Sequence, residues 1–261
     1  ERILGPDHPR TLISRNNLAE SYREADRLDE AITLHERNLA DRLRILGPDH
    51  PSIFGSRSNL AGAYYAAGRL DEAIDLFEQS LSDRLRVLGP DHPDTLTARN
   101  NLAFAYRDAG RLDEAIDLYE RVLADCRRIM SPDHPSIFLF RNNLAEAYLR
   151  TGGLDRAIDL YEQNLADRER VLGPGHPDTL TSRHNLATAY WSAGRPGDAI
   201  LLFEQTLAEA LRALGPDHSD TRLFRKNLAD AYRAVGRDED AEALLDPPPA
   251  FDDAEADRPD D

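Results

Sequence analysis

Leu102, Ala103, Tyr106 and Ala109 fall on one arc when the chain turns by about 100° per residue, and Ala115, Ile116, Tyr119, Val122, Leu123 and Cys126 form a second apolar stripe at the same spacing. This pattern predicts two amphipathic helices, over 94–110 and 112–130. Pro93 suits a first helical position, Asp94 favours the positive start of a helix, and Gly110 can take the left-handed conformation that ends one helix before the next begins. No alternating strand pattern occurs anywhere in the sequence, so the class is all-α.

The same pattern restarts every 42 residues. Gly5-Pro6-Asp7-His8-Pro9 returns at 47–51, 89–93, 131–135 (with Ser131 for Gly), 173–177 (with Gly175 for Asp) and 215–219 (with Ser219 for Pro). One unit of this size cannot bury its own apolar face and must stack on its neighbours, which predicts a solenoid. The repeats are 5–46, 47–88, 89–130, 131–172, 173–214 and 215–246, the last with a shortened second helix because Glu242 replaces an isoleucine and Pro247-Pro248-Pro249 stops the chain. Residues 1–4 match the last turn of a second helix, so the chain is expected to begin inside a truncated upstream repeat. Residues 247–261 read as an acidic, proline-rich disordered tail.

The 261 residues could make two globular domains by length alone, but six stacked units make one array instead. The single cysteine, Cys126, excludes an internal disulfide, which fits a reducing, cytoplasmic setting. Its equivalents in other repeats are mostly arginines, so a partly exposed, inert thiol is expected. No apolar stretch reaches the roughly 18 residues of a membrane helix. A net charge of -16 argues against binding a phosphate backbone.

Candidate chemistry is sparse. His8, His50, His92, His134, His176 and His218 recur one repeat apart, too far for ligands that must converge at roughly 2 Å on a metal, and a role in satisfying helix-start donors is expected instead. Asp71-Glu72 and Asp113-Glu114 sit where a helix start favours negative charge. No P-loop is present, and no catalytic residue, metal or cofactor is expected.

The string Asn101-Leu102-Ala103-x-x-Tyr106-x-x-x-Gly110-x-x-x-x-Ala115-x-x-x-Tyr119-x-x-Val122-Leu123 resembles the tetratricopeptide repeat (TPR). The 42-residue period, the Asn-Asn-Leu-Ala string and the Leu-Gly-Pro-Asp-His-Pro linker are similar to the kinesin light chain subgroup and its bacterial relatives, over residues 1 to 246. The resemblance implies a right-handed α-solenoid, a superhelix of helix-turn-helix units whose first helices line a concave groove for extended peptides. It does not imply a motor. Three departures stand out. Arg15, Arg57, Arg99, Arg141, Arg183 and Arg225 occupy a position that is usually large and apolar; Arg195-Pro196-Gly197-Asp198 should start its helix differently; and Asp26 stands where the other repeats have glycine. Each arginine after the first follows an acid by 16 residues, Asp41 before Arg57 for instance, which predicts ion pairs between repeats and leaves Arg15 without a partner.

The expected groove positions oppose the core arc. Asparagine holds one of them in every repeat: Asn17, Asn59, Asn101, Asn143, Asn185 and Asn227. A primary amide can read a peptide backbone; alternatively, a mid-helix Asn bonds the neighbouring first helix and sets the pitch. Around this ladder Tyr65, Phe104, Arg107, Arg150, Trp191 and Lys226 vary between repeats, with Glu20, Glu24, Glu146, His184 and Arg233, as a specificity surface should. The expected function is a non-catalytic protein-interaction scaffold that binds an extended peptide. The alternative is the sensor arm of a larger bacterial signalling NTPase or transcription regulator, with the catalytic domain upstream.

Overall fold

The computed structural model describes residues 4–245, and among these every regular element is a helix. The helices group into two compact units, one ending at Gly153 and one beginning at Leu154. The first holds α1 (Pro9–Glu24), α2 (Leu28–Leu46), α3 (Pro51–Ala66), α4 (Leu70–Leu88), α5 (Pro93–Asp108), α6 (Leu112–Ile129) and α7 (Pro135–Arg150). The second holds α8 (Leu154–Leu172), α9 (Pro177–Ser192), α10 (Pro196–Ala213), α11 (Ser219–Ala234) and α12 (Asp238–Leu245). The 247–261 tail lies outside the described residues.

Each first helix starts the same way. The Nδ1 of His8, His50, His92, His134, His176 and His218 accepts a hydrogen bond from the backbone N–H two residues on, at 3.1–3.2 Å. The histidine side chain therefore does the work usually done by Ser or Asp at a helix start. Proline follows it in five of the six, at a position where its missing N–H costs nothing. The turn to the second helix needs a left-handed residue: Gly110 has φ 77°, and Asp26 is forced to φ 58° where its counterparts are glycine. Contrary to expectation, α10 begins in the same register as α4 and α6, because Pro196 fits the first helical position and Arg195 still pairs with Asp198 at 2.6 Å.

In the first unit α2 packs on α3, α4 on α5 and α6 on α7, so every second helix is covered by the next first helix. Small residues allow the approach: Ala19, Ala31, Ala61, Ala73, Ala103, Ala115 and Ala145 are fully buried, and aromatic and branched side chains such as Phe54, Tyr119 and Ile53 fill the space between. From α3 onward, a tyrosine near the end of each first helix ties the stack. Its hydroxyl donates to a glutamate on the preceding second helix, Tyr64 to Glu36 and Tyr106 to Glu78 at 2.6 Å, and Tyr148 to Glu120. The second unit repeats the bond, from Tyr190 to Glu162 at 2.5 Å and Tyr232 to Glu204 at 2.6 Å. The arginine that opens the next helix lies over the same ring, Arg69 on Tyr64 at 4.4 Å and Arg111 on Tyr106 at 4.1 Å. Burial first, and the bond to Glu78 second, push the Tyr106 hydroxyl up to about 12.

Three of the six unusual arginines pair in the opposite direction to that predicted. Arg15 meets Asp41 at 2.7 Å, Arg57 meets Asp83 and Arg99 meets Asp125, so each bond closes a repeat on itself. Arg15 is thus paired after all. In the second unit Arg183 reaches the preceding second helix, but through Glu169 at 2.5 Å. Glu209 pairs with Arg212 instead, and Arg225 takes no ion pair among the described residues. The acids do double duty: Asp41 also meets Arg44 at 3.3 Å, and Arg44 holds the loop residue Asp7 at 3.1 Å. The bond from Arg15 holds the Asp41 carboxyl below its ordinary range. This arginine–aspartate chain fixes the Pro-Asp-His-Pro loop to the end of the second helix.

Cys126 is fully buried rather than partly exposed, since α6 turns it into the core stripe with Val122 and Leu123. Burial pushes its thiol up to about 11. The native protein is therefore expected to resist iodoacetamide at neutral pH and to react at once in denaturant, read by mass spectrometry. Tyr106→Phe should lower stability by about 1–2 kcal/mol, read as a shift of the urea midpoint. Tyr106→Phe combined with Glu78→Gln should cost less than the sum of the two.

Candidate functional site

The surface opposite the core stripe of the first helices carries the expected groove residues. In the first unit the asparagine ladder is partly a structural device: Asn59 Nδ2 donates to Asn16 Oδ1 at 2.8 Å, and Asn143 Nδ2 donates to Asn100 Oδ1 at 2.9 Å. Each bond joins one first helix to the next and uses a single amide donor, leaving a second N–H and a carbonyl lone pair. Asn101 differs. The residue that should face it is Ser58, whose hydroxyl lies 3.1 Å from Ser80 Oγ and accepts from Arg84 at 3.2 Å. The Asn101 amide makes no hydrogen bond among the described residues, and neither does that of the exposed Asn17.

Beyond Asn101 on the same helix lies a compact cluster. The rings of Tyr65 and Phe104 pack with centroids 5.4 Å apart, and the Arg107 guanidinium covers Phe104 at 4.1 Å. Asp108 gathers the polar ends: it accepts from the Tyr65 hydroxyl, from Arg107 Nε at 3.0 Å and from Arg150 Nη1 at 3.1 Å. Arg150 also donates to the Arg107 carbonyl at 3.1 Å, and its other flank lies 3.8 Å from Glu146. Burial alone would raise the Asp108 carboxyl, but the Tyr65 bond and the two guanidiniums outweigh it and hold it below its ordinary range. Burial and the same bond push the Tyr65 hydroxyl up to about 12. Four of the expected groove residues, Tyr65, Phe104, Arg107 and Arg150, are thus brought together on three successive first helices. Their side chains are held by mutual contacts.

In the second unit a cleft of about 280 Å³ is walled by Trp191, Phe203, Ala231 and Ala234 and rimmed by Thr188, Asn227 and Asp230. Trp191 is half-buried against the core there. Asn227 Nδ2 lies 3.1 Å from His184 Nε2, the same rung with a different partner. His184 is not an open groove residue: its ring sits between Phe203 and Phe224, at 5.2 and 5.3 Å. Lys226 is exposed and takes no ion pair among the described residues, whereas Arg233 is held by Asp230 at 3.3 Å. Asn185 stands at the equivalent rung on α9 and is half-buried. Among the described residues no group of three His, Cys, Asp or Glu side chains could hold a metal ion, and no helix is long and apolar enough to cross a membrane.

The family comparison agrees with this construction. Tetratricopeptide repeat models match residues 1–40, 14–82, 52–128, 136–208 and 190–258. The chain is a tetratricopeptide repeat protein. A solved structure described as kinesin light chain nearly identical TPR-like repeats, from Podosopora anserina, is 35% identical with a TM-score of 0.72, covering 78% of this chain and 97% of that one. BtubC (BKLC) from P. vanneervenii is similar in fold, with 23% identity, a TM-score of 0.70 and coverage of 84% and 88%. A Signal Transduction ATPase with Numerous Domains from Pyrococcus horikoshii, with a tetratricopeptide repeat sensor, gives a TM-score of 0.70 at 14% identity, over 90% of this chain and 35% of that one. No curated protein matches the chain. The TPR array is therefore of the kinesin-light-chain-like kind, an all-α solenoid of helix-turn-helix units.

One buried group has no counterpart elsewhere in the TPR array. His35 holds the core position filled by Phe77, Tyr119 and Phe203 in other repeats. It is 1% exposed, with Nε2 3.2 Å from Glu20 Oε1 and the Arg23 charge nearby. Burial lowers its pKa, and Glu20 opposes that only in part. Because the folded state disfavours the imidazolium, His35 leaves stability intact above its unfolded pKa of about 6.5 and withdraws it as pH falls below that value. The thermal midpoint should drop more steeply between about pH 7 and 5 in the native chain than in His35→Phe, read by circular dichroism.

Proposed function

We propose that this protein is a non-catalytic interaction scaffold that holds an extended peptide segment along the concave groove of its first helices. Tetratricopeptide repeats are typically protein-interaction modules, and the reading for this chain is carried by one observation: the Asn101 amide is left unbonded beside the preorganised Tyr65–Phe104–Arg107 platform. An amide that both donates and accepts can pair with a peptide backbone, and an aromatic face capped by arginine gives a partner side chain a dry surface. The Trp191 cleft in the second unit is a candidate anchor for a further side chain. A cytoplasmic setting is part of this proposal.

A sensor arm of a larger signalling ATPase is the second reading. The TPR sensor of the Pyrococcus horikoshii ATPase supports it through shared fold.

A peptide-display library panned against the protein, followed by titration of the best binder, tests the first reading. Phe104→Ala and Trp191→Ala should each weaken that binder by about 1–4 kcal/mol, and Asn101→Ala by less. Affinity unchanged in all three variants would overturn the groove assignment.

A further inference from the structure

The outer face of the first unit carries a feature that the groove does not use. Between α2 and α4 lies an open furrow of about 410 Å³ whose floor is Leu39, Leu43, Leu60 and Leu76, and whose rim carries the carboxylates Glu36, Glu72 and Asp75. No lysine or arginine lines it. Two of the carboxylates are already engaged: Glu36 accepts from the Tyr64 hydroxyl and Glu72 is paired with Arg69 at 2.7 Å. Asp75 is exposed and has no ion pair or hydrogen bond among the described residues.

The molecule supplies its own comparison. One repeat later the same furrow recurs, with Leu102, Tyr106, Glu114, Asp117 and Leu118 in the corresponding places. There the position of Gln79 is taken by Arg121, which pairs with Asp117 at 3.0 Å. The second furrow is therefore neutralised from within, whereas the first is apolar below, anionic above and open to a cation.

We propose that the α2–α4 furrow docks a cationic amphipathic helix of a partner protein, its apolar side chains on the leucine floor and a lysine or arginine on Asp75. A furrow walled by α2 and α4 with Leu60 of α3 in its floor offers a further helix a natural groove, and an apolar stripe flanked by basic residues complements this one in both shape and charge. Charge also decides between occupants. A second copy of a chain with net charge -16 would bring carboxylates against carboxylates, and a nucleic acid would bring phosphates. Opposite charge on the partner raises the encounter rate and fixes its register, while covering the half-exposed Leu43 and Leu76 holds it.

The test is fluorescence anisotropy at about 0.15 M salt. The probe is a labelled leucine–lysine peptide of about 14 residues, long enough for four helical turns. It is compared with a scrambled peptide of the same composition that has no apolar face. Asp75→Lys should weaken the amphipathic peptide by about tenfold, and Leu76→Gln should weaken it too. Asp117→Lys, which changes net charge by the same amount in the neutralised furrow, should have an effect of about twofold or less. Circular dichroism checks that each variant is folded. Equal effects of Asp75→Lys and Asp117→Lys, equal binding of the scrambled peptide, or no saturable binding would overturn the proposal. So would a concentration-dependent dimer lost in Leu76→Gln, which would assign the furrow to a second copy.

Discussion

The tyrosine near the end of each first helix from α3 onward is the joint on which the stack depends. Its ring lies beneath the arginine that opens its own second helix, and its hydroxyl reaches back to the glutamate of the preceding one. One side chain thereby couples the turn within a repeat to the contact between repeats. The coupling matters because a single repeat cannot bury enough apolar surface to stand alone, so any interaction spanning both levels makes neighbouring units fold together. In the fourth repeat Gly153 takes the place of that arginine, and Tyr148 keeps its bond to Glu120 without a guanidinium cover from that position.

Helix boundaries, histidine caps and left-handed glycines were legible because each is a local event: a residue type acts on a backbone group two or three positions away. The direction of the arginine pairing was not, and the reason is arithmetic. In a strict 42-residue period, an arginine 16 residues after one acid is 26 residues before the next, so periodicity gives both partners equal standing. Only the packing of the helices selects Asp41 for Arg15 and Asp83 for Arg57. Arg183 shows that even this choice is not uniform, because its own-repeat acid is the longer Glu209, which turns to Arg212.

The candidate site was half legible for a similar reason. Helical spacing placed Tyr65, Phe104, Arg107 and Arg150 on the face opposite the core, and the structure brings them together. Spacing alone gave no sign that Asp108 would be the acceptor that gathers them, nor that His184 would be wedged between two phenylalanines. Burial depends on what the neighbouring repeat places opposite, and that is a property of pairs of positions about 43 residues apart.

Ser58 illustrates what such a dependence allows. In a periodic chain of amides each member is occupied by its neighbour, and the surface is chemically quiet however many polar groups it contains. Replacing one member with a shorter side chain that turns to the interior breaks the sequence of obligations at a single place. The neighbour, Asn101, keeps its position and orientation on the helix but no longer has a structural duty. A repeat protein can thus acquire an uncommitted hydrogen-bonding point on its surface by subtraction, through a change one unit away.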